Sequence, residues 1–180
     1  MGEIFRLGIP TMKKFAVLSA VALTALATPA FAAPGDSDSA DGAATAQIVS
    51  PITLTHVAGA VLDFGTFTTG DTGGTIVVTR GGAGTASGEV ALLQGSLEAA
   101  DQFTVSGDAG RRFSITTGGG SVSNGAATPT TMAFTTDARA NHTLDTAGAA
   151  SFSVGGTLTV LGGEPAGTYT GSYAVTVAYN

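Results

Sequence analysis

From Tyr169 to Asn180 the chain alternates with a period of two: Tyr169, Gly171, Tyr173, Val175, Val177 and Tyr179 on one set of positions, Thr170, Ser172, Ala174, Thr176, Ala178 and Asn180 on the other. That period is the pleat of a β-strand. The aromatic and β-branched set predicts a face laid on a core, and the small polar set a face near water. This is the strongest strand signal in the sequence and its last element, so one edge is expected to be open, either shielded or used for pairing.

Weaker copies of the same alternation recur upstream. Ala44, Ala46 and Ile48 alternate with Thr45 and Gln47, and Ile52, Leu54 and His56 alternate with Thr53 and Thr55. Pro51 lies between them and has no N–H for a ladder, which predicts two short strand pieces or an edge strand. Leu62 and Phe64 share a face before the glycine-rich turn Gly70 to Gly74. Further strands are expected over Thr75 to Arg80, Glu89 to Leu93, Gln102 to Ser106 and Arg111 to Thr117, around Met132 and Phe134, and from Phe152 to Val160. Gly155-Gly156 in that last run predicts a bulge or bend, and Leu92 to Ala100 is the one candidate for a helical turn, weakened by Gly95. Short connections between about eight strands predict an all-β, antiparallel sandwich of two packed sheets.

The N-terminal segment follows a different pattern. Lys13 and Lys14 precede an apolar run from Phe15 to about Ala27, then Pro29 and Ala30-Phe31-Ala32. This is the layout of a secretory signal peptide, too short to span a bilayer comfortably, with Met12 as the expected start and cleavage expected before Ala33. The expected organisation is therefore a signal peptide over residues 1–32, a flexible leader over 33–43 without large apolar residues, and a β-sandwich domain over 44–180.

Export changes how composition is read. Cleavage leaves 148 of 180 residues, enough for one domain with its own core. There is no cysteine, so packing and sheet hydrogen bonds must hold the fold, and thiolate zinc sites are excluded. Without Arg6, Lys13 and Lys14 the seven bases fall to four arginines, and without Glu3 the thirteen acids fall to twelve, giving the mature chain a formal charge of −8. Nucleic acids and anionic membranes call for clustered positive charge, so neither is an expected partner; contact with a membrane is expected only during export.

Candidate chemistry is sparse. Asp36, Asp38 and Asp41 before Gly42 resemble a calcium loop, but the third acid falls at the sixth position and Gln47 stands where a glutamate is needed. A solvated tail is the simpler reading. His56 and His142 have no second histidine at ligand spacing, no serine lies in a nucleophile elbow, and the glycine clusters at Gly81 and Gly118 lack the lysine or helix of a phosphate loop. No catalytic, metal or cofactor-binding residue is nominated, and the chain is not expected to be an enzyme. Arg111 and Arg112 alternate faces; one is expected to pair with Asp108 or Asp101, the alternative being an anion site. Tyr169, Tyr173 and Tyr179 fit a core face with hydroxyls at the rim, or an aromatic platform for sugar.

At the level of motifs, Pro51-Ile52-Thr53-Leu54-Thr55, Leu62-Asp63-Phe64-Gly65, Phe152 to Leu158, and Pro165 to Gly171 through Val175-Thr176-Val177 and Tyr179-Asn180 resemble the bacterial exported family catalogued as domain of unknown function 4402. That family is similar to spore coat protein U and to chaperone-usher pilins, in the LDFG-like segment and in the ending with a penultimate tyrosine. The resemblance implies an immunoglobulin-like, pilin-like sandwich, exported to the periplasm, cell surface or medium of a Gram-negative bacterium, and pairing by strand addition with itself or a periplasmic chaperone. On this reading the pairing edge is Tyr169, Tyr173, Val175, Val177 and Tyr179, and the donor segment supplies Ala44, Ala46, Ile48 and Val49. Larger residues each contribute about 1.5–3 kcal/mol when buried, so this small-residue donor is expected to bind weakly in trans or to serve in cis. Two functions follow: a fimbrial or surface structural subunit, or a self-complemented secreted module whose loops hold a carbohydrate or surface ligand.

Overall fold

The computed structural model describes residues 38–180; the expected signal peptide, the Met12 start and the first leader residues lie outside the described residues. The chain divides into two units, Met1–Thr45 and Ala46–Asn180. In the first, residues 38–45 are exposed and without regular structure.

The second unit is built on one long strand, β11 (Ala149–Val160), whose alternating Phe152, Val154, Leu158 and Val160 are all buried. Its first half pairs with β6 (Asp101–Ser106), from Ala149 opposite Ser106 to Val154 opposite Asp101. Its second half pairs along the same edge with β3 (Gly74–Val78), which also pairs with β4 (Gly84–Gly88). On the other edge lies β9 (Thr131–Ala138). Beyond β6 comes β1 (Thr53–His56), and beyond β9 come β8 (Gly120–Ser123) and β12 (Thr170–Ser172), completing an eight-stranded antiparallel sheet.

The second layer is a three-stranded antiparallel sheet of β10 (Asn141–Thr143), β7 (Arg112–Thr117) and β13 (Val175–Tyr179). A short ladder of β2 (Phe67–Thr68) and β5 (Ala91–Leu92) stands apart from both. Every strand pairing among the described residues is antiparallel, as the short connections require, and the expected all-β sandwich is the fold.

The inward faces form two cores. Phe103, Val105, Phe152 and Val154 of the large sheet meet Phe113 and Ile115 of β7, with Leu144 alongside. Ile76, Val78, Met132, Phe134 and Leu158 form the second cluster with Phe64 and Val90. Burial of such side chains stabilises by about 1.5–3 kcal/mol each, which lets the domain fold without cross-links.

Among the described residues there are thirteen strands where about eight were expected, because several are short and nearly devoid of large apolar residues: β4 reads GTASG, β8 GSVS and β10 NHT. Three local expectations change. Gly155-Gly156 makes no break in β11; a Cβ at Gly155 would collide with the Val78 carbonyl and one at Gly156 with the Thr135 carbonyl, so the glycines admit the β3 and β9 backbones on either side. Leu92 to Ala100 forms turns and a single bridge from Ala99 to Asp63, not a helical turn. The strand piece before Pro51 does not form, since Ala46 to Ile52 is without regular structure and Ile48 is 98% exposed, while β1 after it is the edge strand that was the alternative.

Candidate functional site

The final alternating stretch is broken in the middle. Thr170–Ser172 pairs with β8 in the large sheet, whereas Val175–Tyr179 pairs with β7 in the small one, so the chain crosses between layers at Tyr173-Ala174. Period two carries through the crossing, which is why the sequence reads as a single strand. Within β13, Val175, Val177 and Tyr179 are half-buried and Thr176 and Ala178 exposed, as the alternation predicts.

Hydrogen-bond parity defines the edge of β13. Gly118 N donates to Ala174 O (2.9 Å) and Asn180 N to Arg112 O (3.2 Å), so the even-numbered residues bond β7. In an antiparallel ladder the odd-numbered N–H and C=O groups, at Val175, Val177 and Tyr179, then point to the other side. Among the described residues no strand pairs there. The same reasoning applies to β1: Val57 N donates to Gln102 O (3.0 Å), Thr53 and Thr55 face β6, and the backbone groups of Leu54 and His56 face outward.

Between these edges the sandwich is open. A groove of about 1280 Å³ opens at the Tyr173 end of these edges, lined by Leu54, Phe103, Met132, Phe134, Tyr173 and Val175 and flanked by residues 60–67 and 164–172, but not by Val177 or Tyr179. Val61 and Leu97 stand at its lining with 55% and 81% of their surface exposed. An apolar trough beside a strand edge with unused backbone groups can accept an extended peptide: the edge supplies main-chain bonds and the trough receives alternate side chains.

A polar cluster sits in the wall of the groove. Asp101 occupies an inward position of β6 and is 5% exposed. His56 Nε2 lies 2.6 Å from one carboxylate oxygen, which also accepts the Gln102 N–H at 2.8 Å, and the Tyr173 hydroxyl donates to the other at 2.7 Å. A buried carboxylate needs such partners. Burial, followed by the adjacent Asp101 carboxylate, pushes the Tyr173 phenol well above its ordinary range, so it stays a donor. The cluster joins β1, β6 and the crossing point, and the Tyr173 ring packs edge-on against Phe134 and Phe103.

The structure separates the five nominated edge residues. Tyr169, Tyr173 and Val175 line the groove. Val177 and Tyr179 pack on the Phe113 core instead, where the Tyr179 hydroxyl donates to Ser50 O (3.0 Å) and accepts from Asp108 N (2.6 Å). Tyr169 donates to Pro165 O (2.8 Å). Of the donor residues, Ala44, Ala46 and Ile48 are exposed and Val49 is half-buried, all without regular structure. Arg111 pairs with Asp108 (3.1 Å), as its position suggests, and lies over the Tyr179 ring.

The groove floor was not legible as a site, since Phe103, Met132 and Phe134 look like any core positions. Asp101 left a signal: it is a carboxylate two residues before Phe103, in the inward phase of an alternating strand. No curated protein matches the chain. The family described as domain of unknown function (DUF4402) matches residues 52–179, from the residue before β1 to the end of β13. The chain belongs to that family.

Proposed function

We propose that this protein is a non-enzymatic structural subunit of the pilin-like, fimbrial or surface type, exported from the cell and pairing with its neighbours by β-strand addition along β13. One observation carries the reading: β13 has an unpaired backbone edge at Val175, Val177 and Tyr179 among the described residues, and at Val175 that edge meets a trough. The exposed, irregular segment around Ile48 supports it, because it offers an alternating stretch without a partner among the described residues. The similarity of the LDFG-like segment and the tyrosine ending to pilins agrees with both. A periplasmic chaperone strand is a second occupant of the same kind.

The test is size-exclusion chromatography with light scattering on residues 33–180, beside a version with a second copy of Ala44 to Ser50 joined after Asn180 through a glycine turn. The expected result is an oligomer or aggregate for the first and a stable monomer for the second. A stable monomer in both cases, with unchanged stability, overturns the proposal.

A further inference from the structure

We infer that the outer face of the small sheet carries a binding site for a single phosphate group, built on Arg112 and Arg139 beside β10. The charge inventory points there first. The mature chain sets four arginines against twelve acids, so a base left without a carboxylate is an exception that calls for a cause. Among the described residues Arg80 pairs with Asp137 (3.2 Å) and Arg111 with Asp108 (3.1 Å), whereas Arg112 and Arg139 have no carboxylate partner. Both line one shallow recess with Asn141, His142 and Thr143, and no described acid lines it.

The acids nearby in sequence are committed elsewhere. Asp108 and Asp137 hold the two paired arginines, and Asp145 Oδ1 accepts the N–H groups of Ala147 (2.8 Å) and Ala149 (2.9 Å) in its own turn. The recess therefore keeps two guanidiniums without an internal counterion, and like charges held together favour an anion between them.

The backbone fixes the donors around that point. Phe113 and Ile115 of β7 turn into the core, so Arg112 and Ser114 face outward. Thr143 lies opposite Arg112 and Asn141 opposite Ser114, which puts Arg112, Asn141 and Thr143 on the same outer face. Arg139 comes from the turn between β9 and β10, which the Ile115 N–H ties to β7 through Ala140 O (2.8 Å). His142, in the opposite phase, stacks on Phe113, and its Nδ1 is held by the Thr143 N–H (2.9 Å). Asn141 Oδ1 already accepts the Asn180 amide (3.0 Å), so the NH2 of Asn141 is its free end. The recess thus offers two forked guanidiniums, an amide NH2 and a hydroxyl. One carboxylate is satisfied by one guanidinium, whereas two guanidiniums from separate elements match the oxygens of a tetrahedral dianion. At about 210 Å³ the recess is smaller than the roughly 300–1,000 Å³ pockets that enclose drug-sized ligands, so it takes the phosphate and leaves any carrier outside. Four bases against twelve acids repel extended polyanions, which selects a small ligand.

The test uses the mature chain, residues 33–180, and follows the phosphorus NMR line width of inorganic phosphate, a ligand-side signal readable in monomer and oligomer alike. The expected result is saturable broadening with one site per chain and a Kd of about 1 mM, as suits two solvent-exposed charge contacts, relieved by sulfate and much less by acetate at the same ionic strength. Arg112→Gln and Arg139→Gln should each weaken binding about tenfold, the loss of one arginine contact, while Arg80→Gln, the same charge change outside the recess, leaves it within about twofold. Asn141→Asp keeps the acceptor for the Asn180 amide, places a carboxylate between the arginines and is expected to abolish binding. Glycerol 3-phosphate binding as tightly as inorganic phosphate identifies the ligand as a phosphate on a larger molecule, and binding of inorganic phosphate alone identifies the free ion; both uphold the site. Broadening that does not saturate, acetate as effective as sulfate, an Arg80→Gln loss equal to the other two, or full binding by Asn141→Asp overturns the inference.

Discussion

Replacing Tyr173 with Phe isolates the bond that pins the crossing between sheets. The variant keeps the ring that packs on Phe103 and Phe134 but removes the hydroxyl, leaving the second oxygen of buried Asp101 without its 2.7 Å donor. A hydrogen bond to a charged group contributes about 1.5–3 kcal/mol, and the half-exposed tyrosine places this one near the lower bound, about 1.5 kcal/mol. For a domain of this size that is a fall in Tm of about 4–6 °C. Thermal unfolding followed by circular dichroism, with the Asp101→Asn single variant and the double variant, gives the coupling of the pair, expected to be about 1 kcal/mol. The pH profile adds an independent check. The folded protein holds the Tyr173 phenol protonated, while the unfolded chain ionises near the ordinary value of 10.0. The resulting stability is present in full below pH 10 and is lost as pH rises above it, so Tyr173→Phe should flatten the alkaline limb. A Tm change under about 1 °C, strictly additive variants and an unaltered alkaline limb would refute the reasoning.

Ladder parity in β13 predicts that Thr176→Pro, which deletes an N–H facing β7, costs about 3 kcal/mol or more, whereas Val177→Pro, on the open side, costs less but blocks self-association; denaturant unfolding and light scattering separate the two. Gly155→Ala in β11 should destabilise by about 2–3 kcal/mol, because its methyl meets the Val78 carbonyl; a neutral result in urea unfolding would contradict the close approach of β3. Glu89 is held below its ordinary value of 4.5 chiefly by the Thr72 N–H, so its contribution is present above pH 4.5 and disappears as pH falls; Glu89→Gln should shrink the acid-side loss of stability in a pH series of thermal melts.

Strands with large residues in one phase were legible in advance: Phe103 and Val105, Phe113 and Ile115, Phe152 to Val160. Strands such as GTASG and GSVS were not, since their stability comes from neighbours whose glycines let backbones approach, as where Gly171 crowds the Ser121 carbonyl. The break at Tyr173-Ala174 was equally silent, because a strand can change partners without changing its period. The open edge could be suspected from Tyr169 to Tyr179, but the groove depends on which strands are neighbours. That is a property of topology, fixed by contacts between residues far apart in the chain, such as Tyr173 and Asp101. The part of the site with a chemical signature is an acid in the inward phase of β6, although from the sequence Asp101 is expected only as a partner for Arg111 or Arg112.

The central position of β11 also sets the timetable of folding. β3, β6 and β9 all pair with it and all precede it, so their ladders with it wait for residue 154 (β6), 158 (β9) and 160 (β3) to emerge. Pairings over such sequence separations are slow to form, because loop closure must be met before contact is gained. A chain made from its N-terminal end therefore holds three apolar strands waiting for their central partner, the interval in which misassembly is most probable. The last-arriving quarter of the molecule decides when this sheet closes.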